Sequence, residues 1–395
     1  MNKEANVILP VYTSDVSGVN SALYELDGMT IMHDASGCNS TYNTHDEPRW
    51  YTIPSRIYLS GLDEEEAILG DEDKLIHDAV TTAKEQNPRF IALAPSPISM
   101  MMGQDIKAIG RLIEKQTAIP CFGIETNGLH SYLSGVSKAL YNWAKRFIVP
   151  TEESVSRGIN LIGATPLDFA RQEVVDDIIN TLEAQGFNVL STWAMGTSPE
   201  AMALSGRAQC NLVLSRDGIE TAEYLKKRFG TPFLMGLPFG EKATTLLCHC
   251  MEEIFEGKDE AMVQKDYEKS LMHIIEEKEE RFEGKQAAVI GETIYALSVA
   301  ALLPMKAQVF TLLKDCQETR NGAVQFAEGE EDLQNKIKDF DFVVGDPFFH
   351  AITNEKSQFI RLPHYAYSGR QFAKEIPSLA GTQGDEWIRS MCREL

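Results

Sequence analysis

Short apolar runs alternate with stretches of helical periodicity along most of the chain, the pattern of parallel strands joined by crossover helices. Three pairs of runs repeat one design. "RFIALAPSP" (Arg89 to Pro97) leads through a helical stretch to "AIPCFGIETNG", and "CNLVLSRDG" (Cys210 to Gly218) leads to "TPFLMGLPFG". "DFDFVVGDPFFH" leads, after a shorter link, to "SQFIRLPHYAYSG". Each first run ends in small or polar residues, and each second run ends in a loop containing Gly. Two pairs are introduced by a further strand and turn, "GINLIGATPLDF" (Gly158 to Phe169) and "KQAAVIGETIYALS" (Lys285 to Ser298). The pattern predicts an α/β fold of three Rossmann-like domains with parallel sheets and flanking helices.

Boundaries are expected where composition shifts. Domain I takes residues 1–150, ending in the polar bridge "KRFIVPTEESVSRG", and domain II takes 151–255. A charged helical linker covers 256–284, its charges read as a solvated face, and domain III covers 285–395.

Charge narrows the range of partners. With 37 basic against 58 acidic residues the formal charge is −21, and the basic residues form no stripe, so a nucleic-acid surface is not expected. The longest apolar stretches, such as "IYALSVAALLPM", suit a buried helix and are too short for a membrane span. "MNKEANVILPVY" has neither a signal core nor an Arg-rich amphipathic pattern, so a cytoplasmic location is expected. Seven scattered cysteines are read as thiols rather than disulfides, and "CHC" at Cys248 to Cys250 as part of a packed helix.

Most chemical signatures are missing. "IGAT" and "IGET" fall short of G-x-G-x-x-G and carry no P-loop lysine; no G-x-S-x-G elbow, C-x-x-C pair or H-E-x-x-H motif occurs. One segment stands apart. "MTIMHDASGCNSTYNTHDEPRWY" (Met29 to Tyr51) gathers Gly37, Cys38, His33, His45, Asp34 and Asp46 in a loop after an apolar run. From the residues alone, Cys38 is either a small buried side chain or a thiolate ligand.

Taken in order, "MHDASGC", "YLSGLDEEEAILGDEDKL", "IALAPSPISMMMGQDI" and "IPCFGIETNGLHSYLSG" resemble the first domain of the nitrogenase component 1-like proteins. That family takes in nitrogenase subunits, protochlorophyllide and chlorophyllide reductase subunits, an F430-synthesis cyclase and a cofactor-assembly scaffold. "GFNVLSTWAMGTSPEAMALSGRAQCNLVLSRDGIETAEYLKKRFGTPFLMGLPFG" is similar to its second domain, and "FDFVVGDPFFH" with "LPHYAYSG" to its third.

The resemblance implies a subunit of a homodimer or heterodimer that takes electrons from an ATP-dependent iron–sulfur reductase. It implies an iron–sulfur cluster, of the [4Fe-4S] type, at the dimer interface, and a tetrapyrrole, metallocofactor or other substrate between the three domains. Cys38 matches a cluster ligand. The two companion cysteines are replaced, one within Tyr12 to Asp15, where Asp15 stands as a candidate ligand, and one by Ser96. Ser215 takes the place of the thiolate that would hold a nitrogenase-type cofactor, so nitrogen fixation is not expected. The pocket residues carried over are His45, Thr126, Asn127, Gly128, Tyr132, Arg207, Ser215 and His364. The competing reading is a non-catalytic scaffold or carrier for a metallocofactor or tetrapyrrole, or a structural partner in a heterodimer.

Overall fold

The computed structural model describes residues 6–35, 47–70, 72–151, 153–277, 282–316 and 322–394. Cys38 and His45 lie outside the described residues. Three sheets, every described pairing between their strands parallel, form the framework. The first sheet contains β1 (Met29–His33), β2 (Ile57–Leu59), β3 (Ile91–Pro95) and β4 (Cys121–Gly123), in the order β2-β1-β3-β4. In the second, β5 (Gly158–Ala164), β6 (Asn188–Ala194), β7 (Cys210–Val213) and β8 (Phe233–Met235) run in the order β6-β5-β7-β8. The third comprises β9 (Gln286–Ile290), β10 (Lys306–Thr311), β11 (Val324–Phe326), β12 (Phe342–Gly345) and β13 (Gln358–Arg361), ordered β11-β10-β9-β12-β13.

The α/β expectation therefore holds, and the reason the central strands read as unbroken apolar runs is visible. Every residue of β1, β3, β5, β7 and β12 is buried, because helices cover both faces of each sheet. "CHC" lies in the helix Gly240–Phe255, with both cysteines buried and the His249 side chain in solvent. Within the charged stretch, Glu260–Glu276 is one helix that buries Val263, Tyr267, Leu271 and Ile275.

The units share a core. One continuous apolar cluster joins Met32 and Trp143 of the first, Leu161 and Trp193 of the second, and Val289 and Val344 of the third. Two smaller clusters lie behind the first and third sheets. Both ends of the described chain cross between units: Leu9 packs into the third unit's cluster, and Leu379 O accepts the amide of Gly240 in the second (3.1 Å).

Glycine sets the closest contact between helices. A Cβ on Gly18, in the helix Asp15–Leu23, would lie 2.2 Å from Tyr132 O; one on Gly135, in Tyr132–Phe147, would lie 1.8 Å from Asp15 O. Only residues without side chains let these backbones touch, and the contact brings Asp15 and Tyr132 together at the carboxyl end of the first sheet.

Candidate functional site

In an open parallel sheet the strand order reverses at one point. The two loops leaving the carboxyl ends there diverge and open a crevice. The switch points fall between β1 and β3, between β5 and β7, and between β9 and β12. The loops leaving those strands carry His33, Asp34 and Ser96; Thr165, Asp168, Ser215 and Asp217; and Glu292 and Asp346.

The second and third sets meet. Asp168 Oδ1 accepts a hydrogen bond from Tyr132 Oη at 2.5 Å and faces His364 Nε2 at 3.2 Å. All three residues are buried. The His364 ring is enclosed by Tyr12, Tyr132 and Tyr295, with centroids at 5.8, 6.1 and 6.1 Å. Its backbone is fixed by Asp346, whose Oδ2 accepts the His364 amide at 2.9 Å while Oδ1 accepts that of Phe348 at 3.1 Å. Glu292 caps the helix Thr293–Ala300, Oε2 accepting the amide of Tyr295 at 2.9 Å.

Asp217 is the outlier. Its side chain is 1% exposed, and neither carboxylate oxygen meets a donor in hydrogen-bonding geometry. It fits because Gly163, at φ +91°, has no Cβ; one built there would lie 2.5 Å from Asp217 Oδ1. Burial, then the charges of Asp168 and Glu292, push its carboxyl well above the ordinary range, against the nearby Ser215 hydroxyl. Glu292 is raised by the same burial and by Asp168, against its backbone bonds and Arg216. Asp168 Oδ2, Ser215 Oγ, Thr165 Oγ1 and His364 Nδ1 are also buried without a hydrogen-bond partner. Such a junction can hold protons on carboxyl groups and offers acceptors to a ligand.

The first sheet's switch point makes a separate node. His33 Nδ1 lies 2.8 Å from Ser60 Oγ and Nε2 lies 2.8 Å from Gln104 Oε1. Burial lowers the imidazole below its ordinary value, against Gln104, and Gln104 Oε1 beside Nε2 suits the tautomer protonated there. Ser96 Oγ donates to Asp34 Oδ1 at 2.7 Å. The segment carrying Cys38 and His45 leaves this node after Asp34 and returns at Glu47.

Where it returns, Arg49 binds it down. The guanidinium donates to Glu47 Oε1 (2.7 Å) and Oε2 (3.0 Å), Glu25 Oε1 (2.9 Å), Ser21 O (2.7 Å) and Ala194 O (3.1 Å). One buried arginine thus ties the end of that segment to the first helix and to β6 of the second unit.

Of the residues singled out from sequence, Tyr132, Ser215 and His364 line the junction. Asp15 is fully buried, and its carboxylate accepts the amides of Asn127 (3.0 Å) and Gly128 (2.8 Å). Thr126 donates to Pro95 O at 2.7 Å. Asp15 and Thr126 to Gly128 therefore form one staple that shapes the loop after β4. Arg207 is placed apart: it precedes β7, at the opposite end of the strand from Ser215, and pairs with Glu153 at 3.1 Å. Asp168, Asp217, Glu292, Asp346, Tyr12 and Arg49 escaped the sequence reading. A usable signal existed for the four acids, each the first acidic residue after an apolar run: "IGATPLD", "LSRD", "IGE" and "VVGD".

Asp15 accepts two backbone amides and Ser96 donates to Asp34, and among the described residues no group of His, Cys, Asp or Glu side chains is arranged to hold a metal ion. The described donors do not by themselves fit an iron–sulfur cluster. The described cysteines 121, 210, 248, 250 and 316 are free and buried, and burial raises every thiol, Cys121 and Cys210 to about 12.

Three parallel sheets sharing a core, with an acid, tyrosine and histidine junction at their carboxyl ends, define the class. A family profile for nitrogenase component 1 type oxidoreductase matches residues 17–342, and the chain belongs to that family. It is 25% identical over 198 residues to a light-independent protochlorophyllide reductase subunit of Heliobacterium modesticaldum, covering 50% of this chain and 38% of that protein. To the same reductase's subunit from Nostoc punctiforme it is 22% identical over 271 residues, covering 62% and 52%. The chain spans about half the length of the curated relatives it matches, or less. The fold of nitrogenase Cp1, solved at pH 6.5, matches at a TM-score of 0.71 and 19% identity, covering 100% of this chain and 94% of that one. No helix among the described residues is long and apolar enough to cross a membrane.

Proposed function

We propose that the chain is a reductase subunit of the component 1 type that pairs with a like or related subunit and receives electrons from an ATP-dependent iron–sulfur reductase. Its substrate is reduced where the carboxyl ends of the three sheets meet, and dinitrogen is not that substrate. The observation that carries this reading is the junction itself: Tyr132, Asp168 and His364, with Asp217 and Glu292 beside them, lie at the switch points where open parallel sheets hold ligands. Reduction consumes a proton with each electron, and buried carboxyls with raised affinity for protons are suited to supply them.

Cys38 is the residue of this chain that would hold an iron–sulfur cluster across an interface with its partner, and such a cluster supplies electrons singly. Asp15 and Ser96 are engaged within the chain, so the remaining ligands belong to the partner. That engagement also favours a second reading, a scaffold or carrier for a metallocofactor or tetrapyrrole, or a structural partner without turnover.

Anaerobic co-purification with a related subunit, followed by iron quantitation and electron paramagnetic resonance, separates them. The reductase reading expects about one cluster per interface, lost in Cys38→Ala. Iron far below that level, with Cys38→Ala indistinguishable from the parent, leaves the scaffold or structural reading.

A further inference from the structure

Residues 6–13 cross the outside of the junction without regular secondary structure. At one end Glu330 Oε2 accepts three successive amides, those of Val7 (3.0 Å), Ile8 (2.8 Å) and Leu9 (2.7 Å). At the other, the Thr13 amide donates to Ala366 O and the Tyr132 amide to Thr13 O, both at 2.8 Å. Between these ties the half-buried Tyr12 ring lies 4.7 Å from Tyr367 and 6.3 Å from Tyr132, stacked on the latter, with the edge of His364 beside it.

Apolar burial hardly holds this strap. Val7, Ile8 and Val11 are 88%, 60% and 76% exposed; Leu9 alone is fully buried. Segments with few buried apolar contacts open at the low end of a protein's stability range. In the junction that Tyr12 adjoins through His364, by contrast, buried atoms without partners accumulate: His364 Nδ1, Asp168 Oδ2 next to it, and further in both oxygens of Asp217, Ser215 Oγ and Thr165 Oγ1. Each such group costs about 1–3 kcal/mol in a closed interior, and a native chain retains them where something else satisfies them.

We propose that residues 6–13 are a lid, and that Tyr12 occupies the place of a small ring-bearing ligand that presents hydrogen-bond donors or positive charge to Asp168 and Asp217. The unpartnered carboxyl oxygens of Asp168 and Asp217 accept from donors and disfavour anions. The tyrosine walls favour the same choice, because their faces attract cations. The proposal deepens the reading above, resting on it only for the role of the junction as the substrate end.

Hydrogen exchange and chemical modification of the full chain test it. In the parent, the peptide carrying His364 resists diethyl pyrocarbonate. Glu330→Ala is expected to speed amide exchange over residues 7–13 about tenfold or more and to expose His364 to the reagent. Tyr12→Ala leaves the Glu330 bonds in place, so residues 7–9 stay protected while His364 reacts. In Tyr12→Ala, benzamidine raises the melting temperature with concentration, and benzoate, of the same shape and opposite charge, does not.

The lid is overturned if exchange over residues 7–13 is unchanged in Glu330→Ala, or if His364 stays protected in both variants. The ligand class is overturned if benzoate stabilises Tyr12→Ala as well as benzamidine, or if neither does. None of these measurements needs iron, a partner or turnover. An opening lid on a chain that reduces nothing therefore sinks only the reductase reading, and a fixed lid on an active reductase sinks only this proposal.

Discussion

Asp217 is a carboxyl group kept in a closed space beside two others, and its effect on stability follows from that. Its affinity for protons is higher folded than unfolded, so the native state binds more protons and stability falls as pH rises above the ordinary carboxylate range. Asp217→Asn removes the titration while keeping the shape. The variant is expected to raise the urea midpoint near neutral pH by the equivalent of ~1–3 kcal/mol and to flatten the fall of stability as pH rises above the ordinary carboxylate range. An unchanged slope would assign that pH dependence to Glu292 or Asp346, the other buried acids raised at this junction. Glu330 has the opposite sign. Burial would raise it, but three backbone amides outweigh burial and hold it below its ordinary value. Its contribution is present above the ordinary range for glutamate and is lost as pH falls through its lowered value, so acid releases the strap.

Among the elements, the strands carried the clearest message in the sequence. β3, β5, β7 and β12 were legible because strands buried on both faces carry few polar positions, and the repeated pairing of runs disclosed three units. The site was less legible. Tyr132, Ser215 and His364 could be carried over by resemblance, but that Tyr132 of the first unit and His364 of the third converge on Asp168 of the second depends on contacts between units that no local pattern encodes. Arg49 was hidden for the same reason: nothing in "HDEPRWY" says that its guanidinium reaches Ser21 O and Ala194 O. Its partner Glu47 is 1% exposed, so truncating the arginine leaves a buried charge without its counter-ion. Arg49→Ala is expected to lower stability by ~3–5 kcal/mol in chemical denaturation, and Arg49→Lys to recover only part, because an ammonium cannot reproduce the forked contacts. Equal stability of the parent and Arg49→Ala would mean that the clasp is not formed in solution.

At the scale of the whole molecule, apolar side chains in water mark the edge where the first sheet ends. Met101 is 80% exposed, Leu129 81%, Ile68 75% and Leu69 73%. Met101 and Leu129 come from neighbouring loops: a Cβ on Gly128, next to Leu129, would lie 2.6 Å from the ring of Pro97, which opens the helix Pro97–Met101. The loop leading to the helix Glu64–Leu69 is tied through Leu62 N to Asp34 O at 2.9 Å. Asp34 is also the last residue but one before the segment that carries Cys38. A partner covering this edge would bury these side chains, which apolar surface in water favours. Met101→Asp combined with Leu129→Asp places two charges there without touching the junction. The double variant is expected to remain folded, with the parent's melting temperature as a monomer. Its self-association, or its association with a related subunit, should weaken by at least about a hundredfold in sedimentation velocity. Raising the salt concentration distinguishes this contact from steering by the acidic surface, since apolar burial survives screening and long-range attraction does not. Association that is unaffected by the two aspartates would place the partner on another face.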